Sequence, residues 1–372
     1  QIKMKKLNII MLLLLGMFFI VSCDSDRDSN PTLQQPTTFV LNTPAYATSN
    51  VYDLENSQSI ELTCSQPDYG YTAAVTYAVQ VSLVNDFETE GAYDVLPSTY
   101  FTAKMDVNAS ELAVVATELS GQPEENFPII TKIYIRLKAA LGNGAGVTYS
   151  NSIELTKVRL HYALDPVVPP TNMYINGSFV DWDWAKAVEM VPTHSNPGTF
   201  WGIVYIPEGA EFKLNSSKSW DGQPIGVNAT LNDNAGAGLS GEDNIKVSNG
   251  GWYQLTVYTT ITGRELTYTV NFDAPNIYST GDPAGGFDTF DETRLFTVPA
   301  DADGEFVSPA FVADGEMRMC IKLADIDWWK TEFIILDGKI EYRGTGDDQT
   351  RVNVKAGQKA YLKFSDGTGH VE

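Results

Sequence analysis

The sequence is poor in the side chains that most enzymes use for catalysis. Its 372 residues include only three histidines and three cysteines. His161, His194 and His370 have no spacing typical of a metal site or of a catalytic triad. Acidic residues are so abundant that carboxylate pairs are inevitable, and none stands where a glycosidase pair is recognisable. The sequence therefore predicts a protein that is not an enzyme, with no cofactor and no metal.

Positive charge is scarce as well. Lys and Arg together number 25 against 47 Asp and Glu, which gives a formal net charge of −22. Nucleic acid and anionic membrane surfaces would repel so acidic a protein. We therefore expect no nucleic-acid partner, whereas neutral or cationic ligands remain open.

Two of the three cysteines indicate neither a disulfide scaffold nor a reactive thiol. Cys64 falls on the apolar side of an alternating strand, together with Ile60 and Leu62, and is predicted to be a small core residue. Cys320 has no obvious disulfide partner in the sequence.

Cys23 belongs to a different pattern at the start of the chain. Positive residues at Lys3–Lys6 and an apolar run over Leu7–Val21 precede it. This resembles a bacterial lipoprotein signal, in which the cysteine is acylated and becomes the mature N-terminus. We expect a signal peptide over residues 1–22 and an acylated cysteine with a flexible tether over residues 23–36, so that lipid alone attaches the protein to a membrane.

Tryptophan is absent before Trp182, and the region up to that point is rich in alternating strands. Its one helical signal begins at Ser110, which is expected to cap the helix, and stops at Gly121. Strands of period two with a single short helix predict an immunoglobulin-like or fibronectin-like sandwich.

A duplication follows a proline-rich linker over 165–170. Asn172–Gly177 recurs as Asn276–Gly281, and Glu211–Leu214 recurs as Glu316–Met319, about 105 residues later in each case. Each copy is rich in strands and turns, which predicts two further antiparallel β-sandwiches. The predicted fold is all-β, with three tandem sandwich domains over residues 37–164, 171–273 and 274–372.

All seven tryptophans lie in the duplicated part. Trp201 and Trp252 sit in strands where every residue can pack, and they are predicted to be core residues. The other five lie in polar loops: Trp182, Trp184, Trp220, Trp328 and Trp329. An indole ring in such a loop either stacks on the apolar face of a sugar or caps an edge of its own domain. The residues alone leave both roles open.

A basic residue occupies the same position in both copies. Lys213 and Arg318 are each the middle residue of an apolar–basic–apolar strand, so their side chains are expected to point away from the neighbouring core residues. There they can reach sugar hydroxyls beside the loop aromatics, or simply be solvated.

Together, the lipoprotein signal, the tryptophan-free first domain and the two tandem repeats resemble the SusE/SusF family of starch-binding surface lipoproteins. The two-repeat layout is similar to the SusE type. The resemblance implies a non-catalytic protein on the outer face of the outer membrane. Its expected partners are a starch-like α-glucan, an outer-membrane porin, a glycan-binding protein and a surface hydrolase.

The resemblance also implies one glycan site in each repeat. For the first repeat it implies Trp182, Trp184, Lys213, Trp220 and Asn244. In the second repeat Phe287 stands where the first has Trp182, and a pair of tryptophans stands where the first has Trp220. The residues implied there are Phe287, Arg318, Trp328, Trp329, Arg343 and Arg351.

Two alternatives to starch binding stay open at this stage. The protein binds a different polysaccharide, since the family name does not fix the sugar, or it is a structural subunit of a glycan-uptake complex with no ligand of its own. Exposed, coplanar loop aromatics in shallow grooves favour glycan binding, whereas buried ones favour a structural role.

Overall fold

A computed structural model describes residues 32–372 of the chain. The predicted signal peptide, the acylated Cys23 and the first part of the tether lie outside the described residues. The chain forms two compact units, one ending at Pro166 and the other spanning Val167–Glu372. In the described part of the chain, no helix is long and apolar enough to cross a membrane.

The first unit is a strand-rich domain with one α-helix among its described residues. Its elements are β1 (Tyr52–Asp53), β2 (Ser59–Thr63), β3 (Val75–Ser82), β4 (Tyr93–Tyr100), β5 (Lys104–Asn108), α1 (Ala109–Ser120), a 3-10 turn (Glu124–Asn126), β6 (Ile129–Leu141), β7 (Thr148–Tyr149) and β8 (Ile153–Leu160). The larger sheet has the order β1-β8-β6-β3-β4, with β7 also on β6, and β2 pairs with β5.

Alternation of apolar residues accounts for the core of this unit. Ile133, Ile135 and Leu137 on β6 are fully buried, while the residues between them are only partly covered. Cys64 is buried in the same core, as the alternating pattern predicted. Because successive side chains of a strand point to opposite faces, one face of the sheet is committed to the core.

The helix α1 differs from the prediction at its first residue. Its N-cap is Asn108, whose side chain accepts hydrogen bonds from the backbone N–H groups of Ser110 and Glu111. The prediction that Ser110 caps the helix was therefore wrong: asparagine two residues earlier already has an extended backbone and an oxygen in place. Gly121 ends the helix in the left-handed conformation, at φ 58°.

The second unit begins with the first repeat, which is a sandwich of two five-stranded sheets. Its strands are β9 (Tyr174–Gly177), β10 (Val188–Glu189), β11 (Val191–Pro192), β12 (Thr199–Ile206), β13 (Glu211–Asn215), β14 (Thr230–Asp233), β15 (Leu239–Ser240), β16 (Ile245–Val247), β17 (Gly251–Thr262) and β18 (Glu265–Asp273), with 3-10 turns at Ser178–Val180 and Trp184–Lys186. The sheets have the orders β10-β9-β13-β16-β15 and β11-β12-β17-β18-β14.

The second repeat is built on one seven-stranded sheet and a two-stranded ladder. Its elements are β19 (Ile277–Thr280), β20 (Phe306–Val307), β21 (Gly315–Glu316), β22 (Arg318–Ile321), β23 (Glu332–Leu336), β24 (Lys339–Tyr342), β25 (Asn353–Val354), β26 (Ala360–Lys363) and β27 (Thr368–Val371), with 3-10 turns at Asp282–Ala284 and Trp328–Thr331. The large sheet has the order β19-β22-β23-β24-β27-β26-β20, and β21 pairs with β25.

Strands β12 and β17 of the first repeat bury both of their faces. Phe200 and Val204 point into the core of the first repeat itself. Trp201, Ile203 and Trp252, on the other face, belong to one hydrophobic core with the second repeat. A strand buried on both sides carries no polar alternation, which explains why every residue of 199–206 is able to pack.

Aromatic rings of the two repeats meet in the shared core. The ring of Trp201 lies 5.9 Å from that of Phe333 and 5.4 Å from that of Tyr342. Trp252 lies 5.1 Å from Phe306, and its indole N–H donates to the carbonyl oxygen of Asp301 at 3.0 Å. Both tryptophans are core residues, as predicted, and the core that they fill joins the two repeats.

Candidate functional site

The turn after β9 fixes the backbone of Trp182. A Cβ atom on Gly177 would lie 2.6 Å from the carbonyl oxygen of Glu211, so only glycine allows β13 to approach this closely. The carbonyl oxygen of Gly177 accepts from the N–H of Trp182 at 3.0 Å. The amide of Asn176 donates to the carbonyl oxygen of Trp182 at 3.1 Å. Trp182 is held at φ 57°, a strained conformation for a bulky residue.

Three tryptophan rings gather beside this turn. The Trp220 ring is 48% exposed, and its centroid lies 5.8 Å from that of Trp182 at an interplanar angle of 47°. Trp184 meets Trp220 edge-on, at 4.8 Å and 64°. The indole N–H of Trp184 is buried and has no acceptor among the described residues. Trp184 thus supports Trp220 from the side, while Trp182 and Trp220 form an inclined pair rather than the coplanar one expected from the sequence.

Lys213 lies on the adjacent strand, beside Asn176. In the β9–β13 ladder Lys213 is paired with Asn176, so the two side chains share a face of the sheet. The Lys213 ammonium is 2.7 Å from a carboxylate oxygen of Asp243. Next along the chain, the amide of Asn244 donates to Glu211 at 3.1 Å. Asn176 therefore adjoins both features: its amide holds the backbone of Trp182, and it is the register partner of Lys213.

A polar cavity of about 590 Å³ opens beyond Lys213. Its walls include Lys213, Gln223, Asn228, Asp243, Thr267 and Tyr268. Gln223 follows Trp220 by only three residues, so the loop that carries the exposed ring also forms the rim of the cavity. The first repeat thus combines stacking surface with hydrogen-bonding groups.

The second repeat places an aromatic pair at the corresponding loops. Phe287, 52% exposed, lies 5.9 Å from Trp328, with the two rings inclined at 30°. Gly281 and Gly286 form an isolated bridge, and a Cβ on Gly281 would lie 3.5 Å from the Phe287 ring. Since Gly281 has φ 94°, the turn that carries Phe287 depends on glycine.

Arg318 is buried in a network of charges rather than solvated. It pairs with Glu332, which is 1% exposed, and with Asp348 at 3.2 Å. Arg343 donates to the other oxygen of Glu332 at 3.1 Å, and Arg351 pairs with Asp348 at 2.6 Å. Burial by itself lowers the pKa of Arg318, but the hydrogen bonds and charges of Glu332 and Asp348 outweigh it and raise that pKa.

Trp329 has neighbours that the sequence did not indicate. Its ring lies 5.0 Å from the ring of His194, a residue of the first repeat. The guanidinium of Arg343 lies over the Trp329 ring at 4.9 Å. Trp329 therefore packs between the repeats, whereas Trp328 pairs with Phe287.

Sequence reasoning missed three residues of these sites. Asn176 and Thr280 occupy the same place in the two repeats, paired in register with Lys213 and Arg318 respectively. Both are buried, and in each one side-chain oxygen has no hydrogen-bond partner among residues 32–372. Glu332 was missed because nothing near it in sequence marks it as the partner of Arg318. The signal for the first two was the repeat itself, since a polar residue precedes the recurring glycine in both copies.

The two sites therefore share a plan but differ in their polar groups. The first brings together its three predicted loop aromatics; Lys213 lies on the next strand in register with Asn176, and Asn244 binds Glu211 on that same strand. The second brings together Phe287 with Trp328, and separately Arg318 with Arg343 and Arg351.

Comparisons with known proteins agree with this division of the chain. A family profile described as SusF/SusE starch specific CBMs matches residues 172–269 and 276–370, and one described as SusE outer membrane protein matches residues 25–138. Outer membrane protein SusF of Bacteroides thetaiotaomicron is 43% identical over 215 residues. That match covers 55% of this chain and 44% of the relative, so the chain spans less than half of that protein's length.

The crystal structure of SusF from the same organism is similar in fold. It matches with a TM-score of 0.51 at 23% sequence identity, over 90% of this chain and 99% of the other. At this level of identity the likeness concerns the fold alone.

Proposed function

This chain belongs to the SusE/SusF family, and we propose that it captures a starch-like α-glucan at two sites without cleaving it. One observation carries the proposal: each repeat pairs two loop aromatics, and a buried or half-buried basic residue lies on a neighbouring strand. A flat ring suits the apolar C–H face of a sugar, and amides, ammonium and guanidinium groups suit its hydroxyls.

The inclination of the rings supports a curved glycan. Trp182 and Trp220 are inclined at 47°, and Phe287 and Trp328 at 30°. Two sugars that stack on such a pair must themselves be tilted relative to each other. An α-glucan chain turns in this way between successive residues, whereas a flat β-linked ribbon requires coplanar rings.

The polar groups near the aromatics support binding rather than hydrolysis. A glycosidase needs two carboxyl groups, one of them acting as an acid, on either side of the bond that it cleaves. Here Asp243 is paired with Lys213, and Glu332 is held between Arg318 and Arg343. Because these carboxylates are paired with basic side chains, they are not placed to act as the acid and base of a glycosidase. The proposed function is therefore binding and not hydrolysis.

We further propose an outer-membrane location, with attachment through lipid on Cys23 and exposure to the cell exterior. The lipoprotein signal and the similarity to outer membrane protein SusF support this. In that setting the protein would hold starch beside an outer-membrane porin and a glycan-binding partner of the same uptake system. Weak individual sites on one tether would gain by avidity on a polymer.

Affinity electrophoresis tests the proposal. The chain from residue 24 onward would be run in gels containing soluble starch, dextran, inulin or xylan, beside Trp182→Ala and Trp328→Ala variants. Loss of one ring removes about 1 kcal/mol or more of stacking, so each variant should be retarded less, and the double variant should run freely. Phe101→Ala, which removes an aromatic that is 71% exposed in the first unit, is the matched control.

Each outcome has a definite meaning. Retardation by starch alone, relieved by either substitution, supports two α-glucan sites. Retardation by another glycan keeps the stacking mechanism and changes the sugar. Free migration of the unmodified protein in every gel contradicts carbohydrate binding and favours a structural subunit.

A further inference from the structure

The 3-10 turn Trp328–Thr331, which carries Trp328, lies against a turn of the first repeat. The backbone N–H of His194 donates to the carbonyl oxygen of Lys330 at 2.9 Å. The ammonium of Lys330 donates to the side-chain oxygen of Asn196 at 3.3 Å. The His194 ring packs on Trp329 at 5.0 Å, with Arg343 over the same indole.

The turn of the first repeat is itself rigid. The N–H of Thr193 donates to the carbonyl oxygen of Thr199 at 2.9 Å, and the N–H of Asn196 donates back to Thr193. Ser195 is held at φ 56° and its hydroxyl lies 2.7 Å from Nδ1 of His194, which orients the imidazole ring. Contacts within the first repeat therefore hold the His194 ring independently of its contact with Trp329.

The opposite side of the Trp328 turn is held by the second repeat. The hydroxyl of Thr331 donates to the carbonyl oxygen of Ile321 at 2.6 Å, and its oxygen lies 3.1 Å from the carbonyl of Trp328. Arg343, which covers Trp329, is anchored on Glu332. The short turn therefore has contacts from both repeats.

We propose that both repeats build the second glycan site, and that His194 and Asn196 of the first repeat are positioning residues for Trp328. They do not contact the sugar. They hold Trp329 and Lys330, the two residues that follow Trp328 in the chain, and so set the 30° inclination of the Trp328 ring against the Phe287 ring. This rests on the proposed function, because the readout is binding of a malto-oligosaccharide at that pair.

A one-turn 3-10 segment is a weak element that needs external support, because it closes few hydrogen bonds of its own. Removing the His194 ring leaves one side of Trp329 without a neighbour. Trp328, the preceding residue in the chain, then samples orientations in which it no longer pairs with Phe287. The apparent affinity of the second site for the sugar then falls in proportion to the fraction of time that Trp328 remains in the binding-competent orientation.

The test uses the protein from residue 24 onward with its first site disabled by Trp182→Ala, and calorimetric titration with maltoheptaose. In this background His194→Ala should weaken binding about fivefold, and Asn196→Ala by a smaller factor. His194→Phe keeps a ring against Trp329 and should bind like its parent.

Two controls separate positioning from general loosening of the structure. Ile203→Ala weakens the shared core at a different place and should lower the melting temperature without weakening maltoheptaose binding at the second site. In a Trp328→Ala background, His194→Ala should leave the first site unchanged.

The outcomes distinguish this proposal from the proposed function. If the Trp182→Ala protein binds and His194→Ala binds equally well, the positioning role is overturned while glycan binding stands. If Ile203→Ala weakens the second site as much as His194→Ala does, the effect is general destabilisation and the specific role is also overturned. If the Trp182→Ala protein does not bind at all, the second glycan site itself is refuted.

Discussion

Glu332 is expected to be a critical residue for the stability of the second repeat. Its side chain is fully enclosed, and each carboxylate oxygen accepts from a different arginine, Arg318 and Arg343. Glu332→Gln preserves the shape of the side chain but removes its charge. Among residues 32–372, the two largely buried arginines would then have only Asp348 as a charged partner, and its side chain is 49% exposed.

The magnitude follows from the burial of the pair. Removing one partner of a buried ion pair costs about 3–5 kcal/mol, because the other charge remains desolvated. In a unit of this size each kcal/mol lowers the melting temperature by roughly 2–4 °C, so we expect a fall of roughly 6–20 °C. Arg351→Met is the matched comparison. Arg351 pairs with the same Asp348, but its side chain is 43% exposed, so its loss should cost about 1 kcal/mol or less.

Urea unfolding at 25 °C and differential scanning calorimetry measure both variants on the same scale. The reasoning requires Glu332→Gln to be far more destabilising than Arg351→Met. If the two differ by less than about 1 kcal/mol, the carboxylate of Glu332 does not balance the arginines as described. A stabilised Glu332→Gln protein would contradict the charge argument altogether.

Two further predictions concern buried groups. Trp201→Ala empties part of the shared core beside Phe333 and should lower the free energy of unfolding by about 3–5 kcal/mol. Calorimetry should show both repeats losing stability together. A loss of stability confined to the first repeat would contradict the shared core. Burial raises the pKa of the Cys64 thiol to about 11 and also raises that of Cys320, so both thiols stay protonated at pH 8. A thiol reagent such as DTNB should therefore label neither cysteine until urea unfolds the protein. Rapid labelling of Cys64 or Cys320 in the native protein would refute this.

Local patterns allowed much of the fold to be predicted. The period-two alternation on β6 and the recurrence of Asn172–Gly177 as Asn276–Gly281 depend on neighbours in sequence, and the structure confirms an all-β chain. The loop aromatics were equally visible, since Trp182 and Trp220 stand among polar residues. Whether they bind a sugar stays a prediction.

Other features depend on residues that are distant in sequence, and no local pattern indicates them. The sequence predicts Arg318 on an outer face, either solvated or able to reach sugar hydroxyls, yet the β22–β23 ladder brings Glu332 against it. His194 meets Trp329 only because two repeats share a core. Even the helix cap shows the limit: Ser110 and Asn108 are both good caps, and the backbone entering α1 decided between them.

The two sites diverge in the feature that is set at long range. Each aromatic pair lies beside a short turn that requires a glycine, Gly177 in the first repeat and Gly281 in the second, and the loop ring is Trp182 in one copy and Phe287 in the other. The basic residue is specified by strand register, and there the copies differ more: Lys213 pairs with the exposed Asp243, whereas Arg318 is enclosed with Glu332. A sugar hydroxyl that approaches Lys213 competes with the solvated carboxylate of Asp243. A hydroxyl that approaches Arg318 meets a donor already fixed by the buried carboxylate of Glu332. Both copies thus present an inclined pair of loop aromatics, at 47° in the first repeat and 30° in the second, and they differ most in the polar half of each site.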